Sequence, residues 1–436
     1  MHATTLEPPV SEANTVRSDK LKGKKLFVKP VNCISARINL NKYEKFVLSN
    51  GCETTGNIKE ADIIIVDTCG FSADSEKSSI ASVKESESLA KEDAKIIVCG
   101  CLTSINPQKL QNQFKGEFFT PKDEKGLSKI LKIDDEENKF APSEDTVGRF
   151  VGIMPGKIAA QHKHRRIEYL FRINNKIKID WIPGIGKIMG RRTAINPRGY
   201  SMNISQGCLG NCTFCVIPFA RGTTRSLPMG LIVDKIRGKV QEGVKQFILN
   251  SEDTGAYGMD IGCTIVDLLE KIHEIEGDFK VYIHFFDPRW LRKYDASLRA
   301  LFAKKKINHI QLPIQSGSNS VLNRMKRAYQ MDHVLPLIRE YRKSFPWMFI
   351  TTEIITGFPG ETKEEHSETV KVVQEGLFDH IRVFPFSNRP GAEAETMPDH
   401  LPQAIVEERA DSLSLEWEKV KSRSRSKYNL LLNFFD

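Results

Sequence analysis

Directly after a strand-like run, Tyr200–Ser205, the chain carries Gln206-Gly207-Cys208-Leu209-Gly210-Asn211-Cys212-Thr213-Phe214-Cys215, a C-x3-C-x2-C loop with no fourth cysteine nearby. Five further strand patterns follow, at Gln246–Asn250, Val281–Phe285, His309–Pro313, Phe349–Ile355 and His380–Phe384, separated by helical patterns such as Thr264–Ile275 and Lys363–Glu375. Such alternation predicts parallel pairing, and six repeats predict a partial (β/α) barrel. In that architecture the loops leaving the C-terminal strand ends carry the site, which is where the cysteine loop stands. Three thiolates this close can grip three corners of one cubane iron–sulfur cluster and leave one iron open to another ligand. A structural zinc site is the rival reading. It calls for four ligands, and the nearest histidines, His164 and His273, are far along the chain.

A second α/β block precedes this one. Lys25–Val28, Asp62–Val66 and Lys95–Val98 read as buried parallel strands, with helical stretches around Asn41–Asn50 and Ser75–Ala90 between them. The pattern predicts a small, open, flavodoxin-like parallel sheet. Cys33, Cys69 and Cys101 follow the three strands, so the sheet brings them to one edge, with Gly70 and Gly100 allowing tight turns there. A single buried cysteine is more often packing than ligand. Three at equivalent strand ends favour a second metal centre. Cys52, Cys99 and Cys263 have no such placement and read as structural.

A length of 436 residues implies two or three domains. The boundaries expected are a flexible tail over 1–24, an N-terminal domain over 25–133, a basic linker over 134–198, a barrel over 199–400 and a C-terminal helical extension over 401–436. Residues 1–20 lack the apolar stretch of a secretory signal and carry Glu7, Glu12 and Asp19, unlike a transit peptide. No run is apolar enough for a membrane span. Nine cysteines, an odd number with clustered spacing, argue against a disulfide framework and for metal chemistry in a reducing, cytoplasmic setting. Between Pro155 and Arg198 stand eleven Lys or Arg against Glu168 and Asp180, a local excess equal to the +9 of the whole chain. Such a segment fits either phosphate binding or a solvated linker.

The C-x3-C-x2-C loop resembles that of the radical S-adenosylmethionine (SAM) superfamily, and the two cysteine sets together resemble the methylthiotransferases within it. The likeness extends to Asp67-Thr68-Cys69-Gly70-Phe71, Cys99-Gly100-Cys101-Leu102, Pro218–Gly222, Arg225-Ser226, Ser251–Gly258, Leu312–Ser318, Met325-Lys326-Arg327 and Thr356–Thr362. It implies two 4Fe-4S clusters, one on Cys208, Cys212 and Cys215 and an auxiliary one on Cys33, Cys69 and Cys101. It further implies SAM, an electron donor such as flavodoxin or ferredoxin, and a deoxyadenosyl radical that takes hydrogen from an unactivated carbon. Sulfur from the auxiliary cluster then joins that carbon, and a second SAM methylates it. No acid–base dyad is expected.

Strand-end placement nominates SAM contacts: Ser251 and Glu252 after the second barrel strand, Gln315 and Ser316 after the fourth, Glu353 on the fifth, and Gly357-Phe358 after it. Arg327 and Arg389 are candidates for the SAM carboxylate or for substrate, with a helix-surface role as the alternative. Known branches of the family modify an adenosine beside the tRNA anticodon or an aspartate of a ribosomal protein. Ser251–Gly258 is closer to the branch acting on N6-threonylcarbamoyladenosine in tRNA, whereas Asp67–Phe71 and Cys212–Pro218 are closer to the protein-modifying branch. The basic segment tilts the expectation toward RNA. Three departures bear on this: no room for the family's C-terminal TRAM barrel before Asp436, an unusual Ile34–Asn39 after Cys33, and a long basic linker. A protein or peptide acceptor, and a non-catalytic two-cluster electron carrier, are the alternatives.

Overall fold

Ile63, Ile64, Ile65 and Val66 are all buried, which requires cover on both faces of their strand. The computed structural model, which describes residues 19–31, 33–123, 125–133 and 199–423, supplies that cover. Strand β3 (Ile63–Thr68) lies between β1 (Lys25–Lys29) and β4 (Lys95–Gly100), with β2 (Glu53–Thr54) and β5 (Glu117–Phe118) at the edges. All pairings are parallel, in the order β2-β1-β3-β4-β5, which is the flavodoxin-like arrangement expected. Ile63 and Ile65 pack with Leu40, Tyr43, Phe46 and Val47 of the helix Ile34–Leu48. Ile64 and Val66 face the other way, onto Val83 of the helix Ala73–Leu89 and onto Leu110 and Phe114.

The chain divides into two compact units: Met1–Glu144 with Phe219–Arg221, and Asp145–Pro218 with Gly222–Asp436. The second unit begins with β6 (Tyr200–Asn203). An antiparallel ribbon follows, β7 (Ser205–Gln206) with β8 (Arg225–Ser226), and the cysteine loop lies between these two strands. Then come β9 (Gln246–Asn250), β10 (Lys280–Ile283), β11 (Ile307–Gln311), β12 (Phe349–Thr356) and β13 (His380–Pro385). The six long strands pair in parallel and in chain order, from β6 through β9 to β13, as a partial (β/α)6 barrel requires.

One face of this sheet, with Met202, Phe247, Leu249, Ile283, Ile310, Ile350 and Ile354, joins the surrounding helices in a single core. The helix Gln403–Arg423 closes one side of that core through Leu413, Trp417 and Val420. The opposite face is polar. Asn250 Nδ2 donates to Asn203 Oδ1 at 2.6 Å, His284 Nδ1 lies 2.6 Å from Asn250 Oδ1, and Tyr282 donates to Gln311 at 3.2 Å. Arg382 donates to Glu353 at 2.7 Å on the same face.

The helix expected around Asn41–Asn50 runs from Ile34 to Leu48, with Cys33 at its N-cap. Residues 1–18 of the expected tail, the whole expected linker 134–198 and the last part of the expected C-terminal extension lie outside the described residues. Residues 19–24 are described and are not a free tail, Leu21 N donating to Asn50 O at 2.8 Å. Among the described residues no helix is long and apolar enough to cross a membrane.

Candidate functional site

In the first unit, Cys69 follows β3 directly, Cys101 follows β4 directly, and Cys33 comes four residues after β1. These strands are neighbours and parallel, so their C-terminal ends share one sheet edge. Cys33 feels the charge of both Cys101 and Cys69, and Cys69 feels that of Cys101. Burial pushes the Cys33 thiol up to about 12, opposed by the Arg221 guanidinium and reinforced by Cys101 and Cys69. Burial pushes Cys69 up to about 11, with Cys101 and Asp67 adding to it. Cys69 is held by Ser79, whose Oγ accepts from Cys69 N at 2.9 Å and donates to its carbonyl at 3.2 Å. A recess in this unit is lined by Ala36, Asn39, Tyr43, Asp67, Gly100, Pro121 and Arg221. Cys99 is buried in β4, and Cys52 is buried with its thiol donating to Lys24 O at 3.0 Å, both in the structural roles expected.

In the second unit, Gly210 sits between two of the three sulfurs. A Cβ there would lie 3.3 Å from Cys208 Sγ and 3.7 Å from Cys212 Sγ, and Gly210 N donates to Cys208 Sγ at 3.2 Å. Burial pushes Cys208 up to about 11 and Cys215 up to about 12, with Asp253 and Cys212 as the next contributors respectively. Protonated thiols are therefore favoured until a positively charged group binds. Among the described residues no set of three or more His, Cys, Asp or Glu is arranged to hold a single metal ion. Cys208 and Cys212 present their sulfurs to this glycine, and three thiolates in one loop can each take one iron corner of a cubane.

Hydrogen bonds register the loop on the rest of its unit. Thr213 N and Oγ1 donate to Met325 O at 3.2 Å and Arg324 O at 2.9 Å, and Ala394 N donates to Thr213 O at 2.8 Å. Glu252 Oε2 accepts from Gly207 N at 2.9 Å, one residue before Cys208. Ser251 is fully buried with its hydroxyl 2.7 Å from that of Ser205.

Gln315 departs from ordinary backbone. Its φ of +60° is in the left-handed region, its N and O both bond to β12, and its buried Oε1 has no partner among the described residues. An orphaned acceptor of this kind fits a bound ligand. Ser316 is committed internally, to Thr369 at 3.2 Å and to Ser318 N at 3.1 Å. Glu353 is paired with Arg382 at 2.7 Å. Gly357 has φ +77° and donates its N–H to Glu361 at 2.8 Å, while Phe358 is fully buried against Val321, Met325 and Ala394. Arg409 of the helix Gln403–Arg423 donates to the same Glu361 carboxylate at 2.7 Å. Arg327 and Arg389 are buried, not on a helix surface. Sequence reasoning passed over Asp287 and Arg289, just after β10, and Asp253, after β9. Their position beyond strand ends was the available signal.

Residues 202–373 match the radical SAM superfamily, and residues 25–120 match the family described as Uncharacterized protein family UPF0004. The tRNA-2-methylthio-N(6)-dimethylallyladenosine synthase of Aliarcobacter butzleri is 30% identical over 88% of this chain and 81% of its own. The probable threonylcarbamoyladenosine tRNA methylthiotransferase of Methanocaldococcus jannaschii is 29% identical over 86% and 78%. The ribosomal protein uS12 methylthiotransferase RimO of Carboxydothermus hydrogenoformans is 27% identical over 89% and 81%. Among solved structures, the radical S-adenosylmethionine methyltransferase TsrM of Kitasatospora setae shares the fold, with a TM-score of 0.56 at 14% identity over 85% of this chain and 76% of that one.

Proposed function

The chain belongs to the radical SAM methylthiotransferase family, and on that footing we propose that it inserts sulfur into N6-threonylcarbamoyladenosine of tRNA and methylates it. As a member of the family it is an enzyme that works with a 4Fe-4S cluster and SAM. When bound, these groups supply a deoxyadenosyl radical that removes hydrogen from an unactivated carbon, and a second cluster supplies the sulfur.

Cys208, Cys212 and Cys215 hold the first cluster, with Gly210 giving the sulfurs room. Cys33, Cys69 and Cys101 hold the second. The observation that carries this assignment is three cysteines following the C-terminal ends of three adjacent parallel strands. Glu252, beside Gly207, accepts from the SAM amino group, and Gln315 offers its orphaned carbonyl oxygen. Ser251, Ser316, Gly357 and Phe358 shape the surrounding wall, and Glu353 acts as a pair with Arg382. A flavodoxin- or ferredoxin-type donor supplies the electron, and free cysteines throughout suit the reducing cytoplasm.

Two observations favour tRNA: relatives named as tRNA methylthiotransferases, and the basic segment Pro155–Arg198, whose charge suits phosphate. A protein side chain is the second reading, favoured by the RimO relatives and by Asp67–Phe71. Mass spectrometry of tRNA nucleosides and of the proteome, with and without the gene, decides between them. Loss of a 2-methylthio adenosine supports the first reading; loss of a methylthio aspartate with intact nucleosides replaces it. Reconstituted protein with Cys33, Cys69 and Cys101 all changed to Ala should still cleave SAM but insert no sulfur. Sulfur insertion by that variant would remove the second cluster from the proposal.

A further inference from the structure

The helix Asn319–Arg324 ends in a turn that sends Arg327 inward. Lys326 takes φ +53°, its N–H returns to Asn323 O at 3.0 Å, and Arg327 N reaches Leu322 O at 2.9 Å. This paired closure is a Schellman motif, and it redirects the chain out of the helical path. Thr213 is bonded to the same helix end through Met325 O and Arg324 O, so the cysteine loop and Arg327 share one anchor. The Arg327 side chain is 7% exposed. Its Nη1 donates to Cys212 Sγ at 3.1 Å, its Nη2 pairs with Asp287 Oδ2 at 2.8 Å, and its plane lies 5.1 Å from the Tyr329 ring centroid. Asp287 also approaches Arg289 at 3.9 Å, and Arg289 pairs with buried Asp253 at 2.6 Å on the Cys208 side of the loop.

We infer that Arg327 is a positioning residue of the radical centre, which with Asp287 sets the reduction potential of the cluster held by Cys208, Cys212 and Cys215. The inference rests on the assignment of those three cysteines as ligands. Reduction adds one negative charge to a cluster. A cationic N–H on a ligand sulfur stabilises the reduced form, and low-dielectric surroundings strengthen the effect. Asp287 offsets the same cation. Removing the two members must therefore move the potential in opposite directions, which a purely structural salt bridge has no reason to do.

The test uses the full chain with Cys33, Cys69 and Cys101 changed to Ala, reconstituted with iron and sulfide, so that one cluster reports. Midpoint potential is followed by electron paramagnetic resonance without SAM, and SAM affinity is measured separately. Arg327→Met should lower the potential, shifting the reduction equilibrium about tenfold, or about 59 mV for a one-electron couple. Arg327→Lys should recover part of that shift, and Asp287→Asn should raise the potential. Unchanged potentials, or shifts of the same sign in Arg327→Met and Asp287→Asn, overturn the inference. So does weaker SAM binding by Arg327→Met at an unchanged potential, which would make Arg327 a SAM ligand. Loss of the cluster from every Arg327 variant, Lys included, overturns it in favour of a packing role. Failure of the parent to assemble any cluster instead strikes the assignment of the three cysteines.

Discussion

Gly207 and Gly100 each stand immediately before a cysteine proposed as a ligand, and each takes a backbone conformation that other residues avoid. Gly207 has φ +89°, and a Cβ there would collide with Thr223 O; Gly100 has φ +97°, and a Cβ there would collide with Asp67 Oδ1 and Thr68 O. Either glycine changed to alanine should cost about 2–4 kcal/mol, from the left-handed backbone together with overpacking. Thermal unfolding should register that loss. Iron and sulfide analysis should find each variant poorer in the cluster beside its own glycine; full occupancy in both would detach these turns from cluster binding. Glycine–cysteine pairs of this sort were legible in the sequence. The inward path of Arg327 was not, because a lysine, rather than a glycine, holds the left-handed position that ends its helix.

Elements with a repeating apolar pattern were read nearly to the residue: β9 was expected at Gln246–Asn250 and lies there. The two-residue strands β2 and β5 escaped, since Glu53, Thr54 and Glu117 are exposed and carry no burial signal. The polar network of the second sheet was also hidden, because a strand pattern does not say that Asn203, Asn250 and His284, on or just after neighbouring strands, meet on one face. That face has a measurable consequence. Asn250 spends its amide N–H on Asn203, so its Oδ1 accepts from His284, which is neutral with its proton on Nδ1. Burial, aided by Arg382, pushes His284 down to about 3, and burial pushes His309 well below its ordinary value. In the unfolded chain both take up protons near pH 6.5. Their contribution is thus complete above pH 6.5 and is lost as pH falls toward 3. By pH 5 the loss at His284 alone is about 2 kcal/mol. Urea unfolding at pH 7.5 and pH 5 should register it, and His284→Gln should flatten the dependence while lowering stability at pH 7.5. An undiminished slope in that variant would assign the acid sensitivity to other groups.

Across the whole molecule, charge is the property that bears on the acceptor. The excess of +9 between Pro155 and Arg198 equals that of the entire chain, so binding of a polyanion should depend on this segment more than on any other. Each phosphate contact releases counterions and adds about 0.7–0.9 to the slope of log affinity against log salt. Replacing five of the eleven cations, for instance Lys163, Arg165, Arg166, Arg191 and Arg192, with Gln should reduce that slope by about 4 if all five meet phosphate. Between 50 and 200 mM salt, parent and variant would then differ in their loss of tRNA affinity by about two orders of magnitude. The substitutions leave both cysteine sets in place, so SAM cleavage without tRNA serves as the internal control. Weaker, less salt-sensitive tRNA binding with normal SAM cleavage supports RNA as the acceptor. An unchanged slope makes the segment a solvated linker and shifts the balance to a protein side chain, because the strongest electrostatic reason for RNA is then gone.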